Sequence, residues 1–181
     1  VFEDPRPWIG SELRATFQLK ALPETWNPYV TRFGTRDWVA ADVWGDGQFL
    51  WREEEHARPL GLVFARRGSP AAEALAAARP YERFTARFAV RQVFLGRPWA
   101  EILELAPEKC AVDEGTLLHA SRALKLMASG DWQLAREDLV RASAPLLPAH
   151  AQAELERLRL ACEEGLAERA RRVIPPRRLK R

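Results

Sequence analysis

Three histidines (His56, His119 and His150), with Glu53-Glu54-Glu55 as the nearest acidic cluster, are the first residues to weigh as metal ligands. A metal site needs such donors at a spacing that turns them toward one point, as HxxxH does on a helix face. The histidines are scattered, and consecutive glutamates point in different directions. The expectation is therefore a solvated loop at 53–55 and no metal site. Acid–base work needs carboxylates that share a face. Glu101 and Glu104, three apart in a strand-like stretch, are expected on opposite faces. No GxSxG, GxGxxG or phosphate-cradling glycine loop occurs. No catalytic residue and no cofactor are expected, and the chain reads as non-enzymatic. Cys110 and Cys162 lack CxxC spacing, so two core-facing thiols are expected, with a disulfide as the alternative.

Binding chemistry is better represented. There are seven tryptophans. Trp38 and Trp44 share strand parity, and Trp51 stands across a glycine turn from them, so the three can form one patch bordered by Arg87 and Arg91. Facing solvent, such a patch stacks nucleobases or sugars. Tryptophans in a small barrel ordinarily fill the core, which is the reading preferred here. The arginines then read as solvated strand residues paired with glutamates.

Charge distribution bears on the partner. Residues 1–110 hold 15 Lys/Arg and 15 Asp/Glu, residues 111–169 hold 7 and 10, and residues 170–181 hold 6 and 0. A nucleic-acid barrel normally carries a basic excess, because phosphate neutralisation dominates affinity. The balanced first part weighs against that class. The tail at 171–181 reads as a solubilising end, with RNA, DNA or anionic lipid as alternative contacts. No run of 18 apolar residues is present to span a membrane. The first residue, Val1, leaves removal of a signal peptide open, so the compartment is not assigned.

These residues are carried by two kinds of element, which meet near Pro107. Before it, apolar residues alternate with period two; after it they recur every three to four. Leu13–Lys20 reads as a strand with Leu13, Ala15, Phe17 and Leu19 on one face. Asp37–Trp44 and Gln48–Trp51 flank Gly45-Asp46-Gly47, a hairpin signal because both glycines can take positive φ. Leu60–Ala65 is a further strand. Ser69-Pro70 caps a short helix at 71–78. Phe84–Phe94 and Trp99–Leu105 flank a turn at Gly96-Arg97-Pro98. Strands, one short helix, then a long hairpin: over roughly 10–106 this order resembles an OB-fold, a small closed Greek-key barrel.

In the second part, Asp113 caps a helix at 114–129 that Gly130 ends. A second helix covers 131–142, and a third follows Pro148 from 149 to about 170. Gly130-Asp131-Trp132-x-x-Ala135-x-x-x-Leu139-x-x-Ala142 with Pro148 resembles one tetratricopeptide repeat, and Ala123 suits its small position. His119 departs from the family's aromatic. The resemblance implies a helical hairpin that presents a groove to a peptide.

The fold class is thus α+β: an OB-like Greek-key barrel with one short helix in a domain at 1–106, a helical-hairpin, three-helix module at 111–170, and a basic tail at 171–181. The expected function is a binding or adaptor protein that engages a protein partner. Candidate contacts are Lys125, Trp132, Arg136 and Arg141 on the hairpin, with Trp132 also expected to pack within it. The alternative is single-stranded nucleic acid bound by Trp38, Trp44, Trp51, Arg87 and Arg91. An exported bacterial envelope or assembly protein is the third reading, from Val1 and the tryptophan content. The sequence assigns no oligomeric state.

Overall fold

A computed structural model describes residues 5–27 and 29–173. They divide into two compact units, one formed by the described residues up to 48 with 54–111 and the other by 49–53 with 112–173. The first is a barrel. After a 3-10 turn at Arg6–Trp8 come β1 (Glu12–Ala21), β2 (Trp38–Gly45), α1 (Glu53–His56), β3 (Gly61–Arg66), α2 (Pro70–Ala77), β4 (Arg83–Phe94) and β5 (Arg97–Pro107). The strands close in the order β1-β2-β3-β5-β4, antiparallel except where β3 meets β5. This is the OB-like Greek-key barrel with its helix between β3 and β4.

Period-two patterning explains the closure. Phe17, Leu19, Ala41, Val43, Val63, Ala65, Phe84, Ala86, Phe88 and Ile102 point inward and are buried together. α2 adds Ala71, Ala72 and Leu75 to the same core. Its start is as the sequence indicates, with Ser69 Oγ accepting from Ala72 N–H at 3.2 Å and Pro70 in the first turn.

Four local expectations are corrected. Gln48–Trp51 is not a strand: β2 pairs with β3 instead, Val43 standing opposite Gly61, and neither Gly45 nor Gly47 has positive φ. The Gly45 turn is stabilised instead by Gln48, whose Oε1 accepts from Gly45 N–H at 2.7 Å. The β4–β5 turn lies at Leu95-Gly96, with φ of 51° and 71°, the type I′ pattern that matches strand twist. Glu53–His56 is a helical turn rather than a loop. Glu101 and Glu104 share a face rather than opposing each other. Leu103 is an extra residue, because Arg87 pairs with Glu104 and Phe88 with Ile102, so both glutamates stand opposite outward residues of β4.

The second unit holds α3 (Glu114–Ser129), α4 (Trp132–Ala142) and α5 (Ala149–Val173), with α3 packed on α4 and α4 on α5. Asp113 Oδ1 caps α3 through Thr116 N–H at 2.7 Å, and Gly130 ends it at φ 81°. Ala123, Ala135 and Ala142 are fully buried where the helices approach. Residues 49–53 belong to this unit, with Leu50 and Trp51 2 % exposed. The basic segment expected at 171–181 lies outside the described residues from position 174.

Candidate functional site

Three surfaces gather the residues singled out from the sequence. The first is the outer face of β2 and β3. Trp38 and Trp44 both point away from the barrel interior, as their shared parity requires, yet neither forms an open platform. Trp38 meets Phe33 edge-on at 4.6 Å between centroids, and Phe33 stacks on Phe64 at 4.4 Å. Trp26 closes over Phe64 at 5.5 Å and donates its indole N–H to Phe33 O at 2.6 Å. The β1–β2 loop thus supplies two aromatics that seal the face, with Trp99 at its edge. Trp44 is 2 % exposed, stacked on Tyr81 at 5.3 Å, with its Nε1 donating to His56 O. Trp51 does not join them. It lies in the helical unit beside Phe49, at 5.3 Å between ring centroids. The hairpin expected to set Trp51 across from Trp38 and Trp44 is absent.

The second surface is the outer side of β4 and β5. Arg87 donates to Glu12 and to Glu104 at 2.6 Å each, and Arg91 to Glu101 at 2.6 Å. Hydrogen bonding to Glu104 raises the Arg87 pKa, and Arg87 in turn holds the Glu104 carboxyl below its usual range. Arg87 and Arg91 are thus engaged with carboxylates, and Glu101 and Glu104 are each engaged with one of these arginines.

The third surface is helical. Arg136 and Val140 form one row of α4, and Glu137 and Arg141 the next, each pair four residues apart. They face Arg159 and Glu163 of α5 across a groove of about 340 Å³. Arg141 reaches the buried Asp138 at 3.4 Å, a carboxylate that also meets Arg122 at 3.1 Å and His119 at 3.2 Å. His119 thus serves this carboxylate. Arg136 forms no ion pair among the described residues, whereas Arg159 donates through Nη2 to Glu156 at 2.7 Å and only its Nε is shielded from solvent without an acceptor. Arg159 escaped the sequence reading because nothing in a long charged helix marks which arginine faces the neighbouring one. Lys125 is exposed on α3 and does not line this groove. Trp132 floors a second groove, with Gly165 and Arg169 of α5.

Both cysteines are free, Cys162 buried and Cys110 partly exposed. His56, His119 and His150 are each engaged separately, with Trp44, Asp138 and Phe49 respectively. Among the described residues no cluster of three His, Cys, Asp or Glu can hold a metal ion. Nor is any described helix long and apolar enough to cross a membrane. Compared with known proteins, the chain matches no protein-family profile and no curated sequence.

Proposed function

We propose that the protein is a non-enzymatic adaptor whose helical unit holds an acidic segment of a protein partner in the α4–α5 groove. One observation carries this reading. Three arginines line the groove: Arg136 forms no ion pair among the described residues, and Arg159, whose Nη2 donates to Glu156 at 2.7 Å, keeps a shielded Nε–H without an acceptor. Guanidinium donors are planar and pre-organised for carboxylates, and a shielded N–H without an acceptor favours an anionic ligand that supplies one. Glu137 and Glu163 line the same groove and disfavour carboxylates placed against them, which leaves the arginines to set the register of the acidic segment. Stacking of a nucleic-acid strand on β2–β3 is the less supported reading, since Trp26 and Phe33 already occupy the aromatic surface that bases would need.

Fluorescence anisotropy of a labelled oligoglutamate peptide tests the proposal at low and raised salt. Binding that weakens with salt is expected, together with a loss of about tenfold on Arg136→Ala. Lys125→Ala, outside the groove, is expected to bind like the wild type. Equal affinities for wild type and Arg136→Ala would overturn the groove as the site.

A further inference from the structure

The barrel's longest hairpin gathers apolar and cationic side chains that the barrel core does not use. β1 and β4 pair up to Glu12 and Ala89, and beyond that point β4 and β5 continue as a two-stranded arm to the turn at Leu95-Gly96. The segment before β1 flanks this arm, with Gly10 N–H donating to Val90 O at 2.8 Å and Val90 N–H to Ser11 O at 3.1 Å. The β1–β2 loop reaches it as well, through Arg32 N–H to Gln92 Oε1 at 3.0 Å. On these three segments Trp8 is 46 %, Ile9 53 %, Tyr29 91 %, Phe94 39 % and Leu95 80 % exposed.

Two features set the arm apart. Leu95 has φ of 51°, a conformation that Gly or Asn ordinarily fills, while also holding a bulky apolar side chain in water. The turn itself needs neither its size nor its apolarity. Segments 5–11, 25–36 and 90–100 also contain Arg6, Arg32, Arg36, Arg91 and Arg97 but no Asp or Glu. Arg91 is held by Glu101, whereas Arg32 and Arg97 are exposed and form no ion pair among the described residues.

We propose that this arm docks on an anionic lipid bilayer. Leu95 and Phe94 at the tip enter the boundary between headgroups and acyl chains, Ile9 and Trp8 on the segment flanking the base of the arm add apolar surface, and Arg32 and Arg97 meet lipid phosphates. The side-chain chemistry favours lipid over nucleic acid. The residue at the tip is aliphatic and has no π face on which a base can stack. An apolar tip on an arm whose flanking segments carry Trp, Tyr and Arg matches the membrane interface. The proposal concerns the barrel unit and is independent of the α4–α5 groove.

Flotation of the full chain with vesicles of phosphatidylcholine, alone or mixed with phosphatidylserine, tests it. Association with the mixed vesicles at low salt is expected, and little with the neutral ones. Leu95→Asn suits the left-handed turn, so it should keep or raise Tm while lowering vesicle affinity about tenfold. Arg32→Ala with Arg97→Ala should lower it by about thirtyfold, less so at high salt. Every variant retains the basic end at 171–181, so its contribution cancels. Failure of the wild type to float with anionic vesicles at low salt would overturn the proposal, as would unchanged binding by Leu95→Asn. Oligonucleotide binding that is lost with the two arginines but indifferent to Leu95→Asn, without vesicle binding, would reassign the arm to nucleic acid and equally overturn it.

Discussion

Gly165 on α5 and the indole of Trp132 at the start of α4 are in direct contact: a β-carbon on Gly165 would stand 2.4 Å from Trp132 Cδ2 and 2.5 Å from Cε2. Those are atoms of the ring body, which cannot swing aside as the end of a flexible chain can. Gly165→Ala therefore sets two effects against each other. Helix propensity favours alanine by about 1 kcal/mol, whereas overpacking costs about 1–3 kcal/mol. The clash is expected to win and Tm to fall. With Trp132→Ala already in place the clash is gone, and the same substitution should raise Tm. Thermal unfolding of the four forms checks this reversal; the same sign in both backgrounds would refute the contact.

Asp138 has a side chain only 3 % exposed, while its partners Arg122 and Arg141 are 60 % and 59 % exposed. The desolvated charge is thus on the carboxylate alone. Removing one arginine leaves Asp138 the other arginine and His119, and the expected loss is under about 1 kcal/mol. Asp138→Asn weakens all of these interactions at once, with an expected loss of about 1–3 kcal/mol. Urea unfolding of Arg141→Ala and Asp138→Asn checks the order. A larger loss for the arginine variant would show that the network is centred elsewhere.

How much of this was legible in the sequence depended on whether the signal was local. Caps were readable, because Ser69, Asp113 and Gly130 act within three residues of themselves. Strand parity was readable too, and it placed Trp38 and Trp44 correctly on one side of β2. What covers that side was not, since the β1–β2 loop has no periodicity, and only the closed barrel brings Trp26 and Phe33 over Phe64. The Gly45-Asp46-Gly47 signal misled for a related reason. Glycines permit a hairpin turn but do not choose the partner strand, and β3 pairs with β2 from farther along the chain. A single extra residue, Leu103, moved Glu104 to the face of Glu101. Alternation alone cannot locate a bulge. In the helical unit, the spacing of Ala135 and Ala142 identified the packed face, but the α4–α5 groove depends on side chains that meet across helices.

The two thiols should differ sharply in reactivity. Cys162 is fully buried, and burial pushes its pKa up, so the reactive thiolate is scarce as well as shielded. Cys110 is partly exposed. A chromogenic disulfide reagent is expected to titrate one thiol in the native protein and the second only on unfolding. Rapid reaction of both in native buffer would contradict the packing of α5.

Glu154 anchors the segment 49–53 to α5 and makes the helical unit sensitive to acid. Its side chain is 9 % exposed, and it accepts from Arg157 at 2.7 Å and from Arg52 at 2.6 Å. Arg52 in turn lies over the Phe49 ring at 4.6 Å. Hydrogen bonds from Arg157 first, then Arg52, outweigh burial and hold the carboxyl below its usual range. A carboxyl lowered in the folded state adds stability above its unfolded pKa, near 4.3, and loses that contribution as pH falls through the folded value. At neutral pH, Glu154→Gln should cost about 1–3 kcal/mol, because it replaces two charge-assisted bonds. Arg52→Ala should cost less, since Arg157 still pairs with the carboxylate. The gap between wild type and Glu154→Gln should shrink progressively below about pH 4, where the wild-type carboxyl takes up its proton. Chemical unfolding across pH 3–7 measures it. A gap that stays constant over that range would mean the carboxylate's charge contributes nothing to the fold.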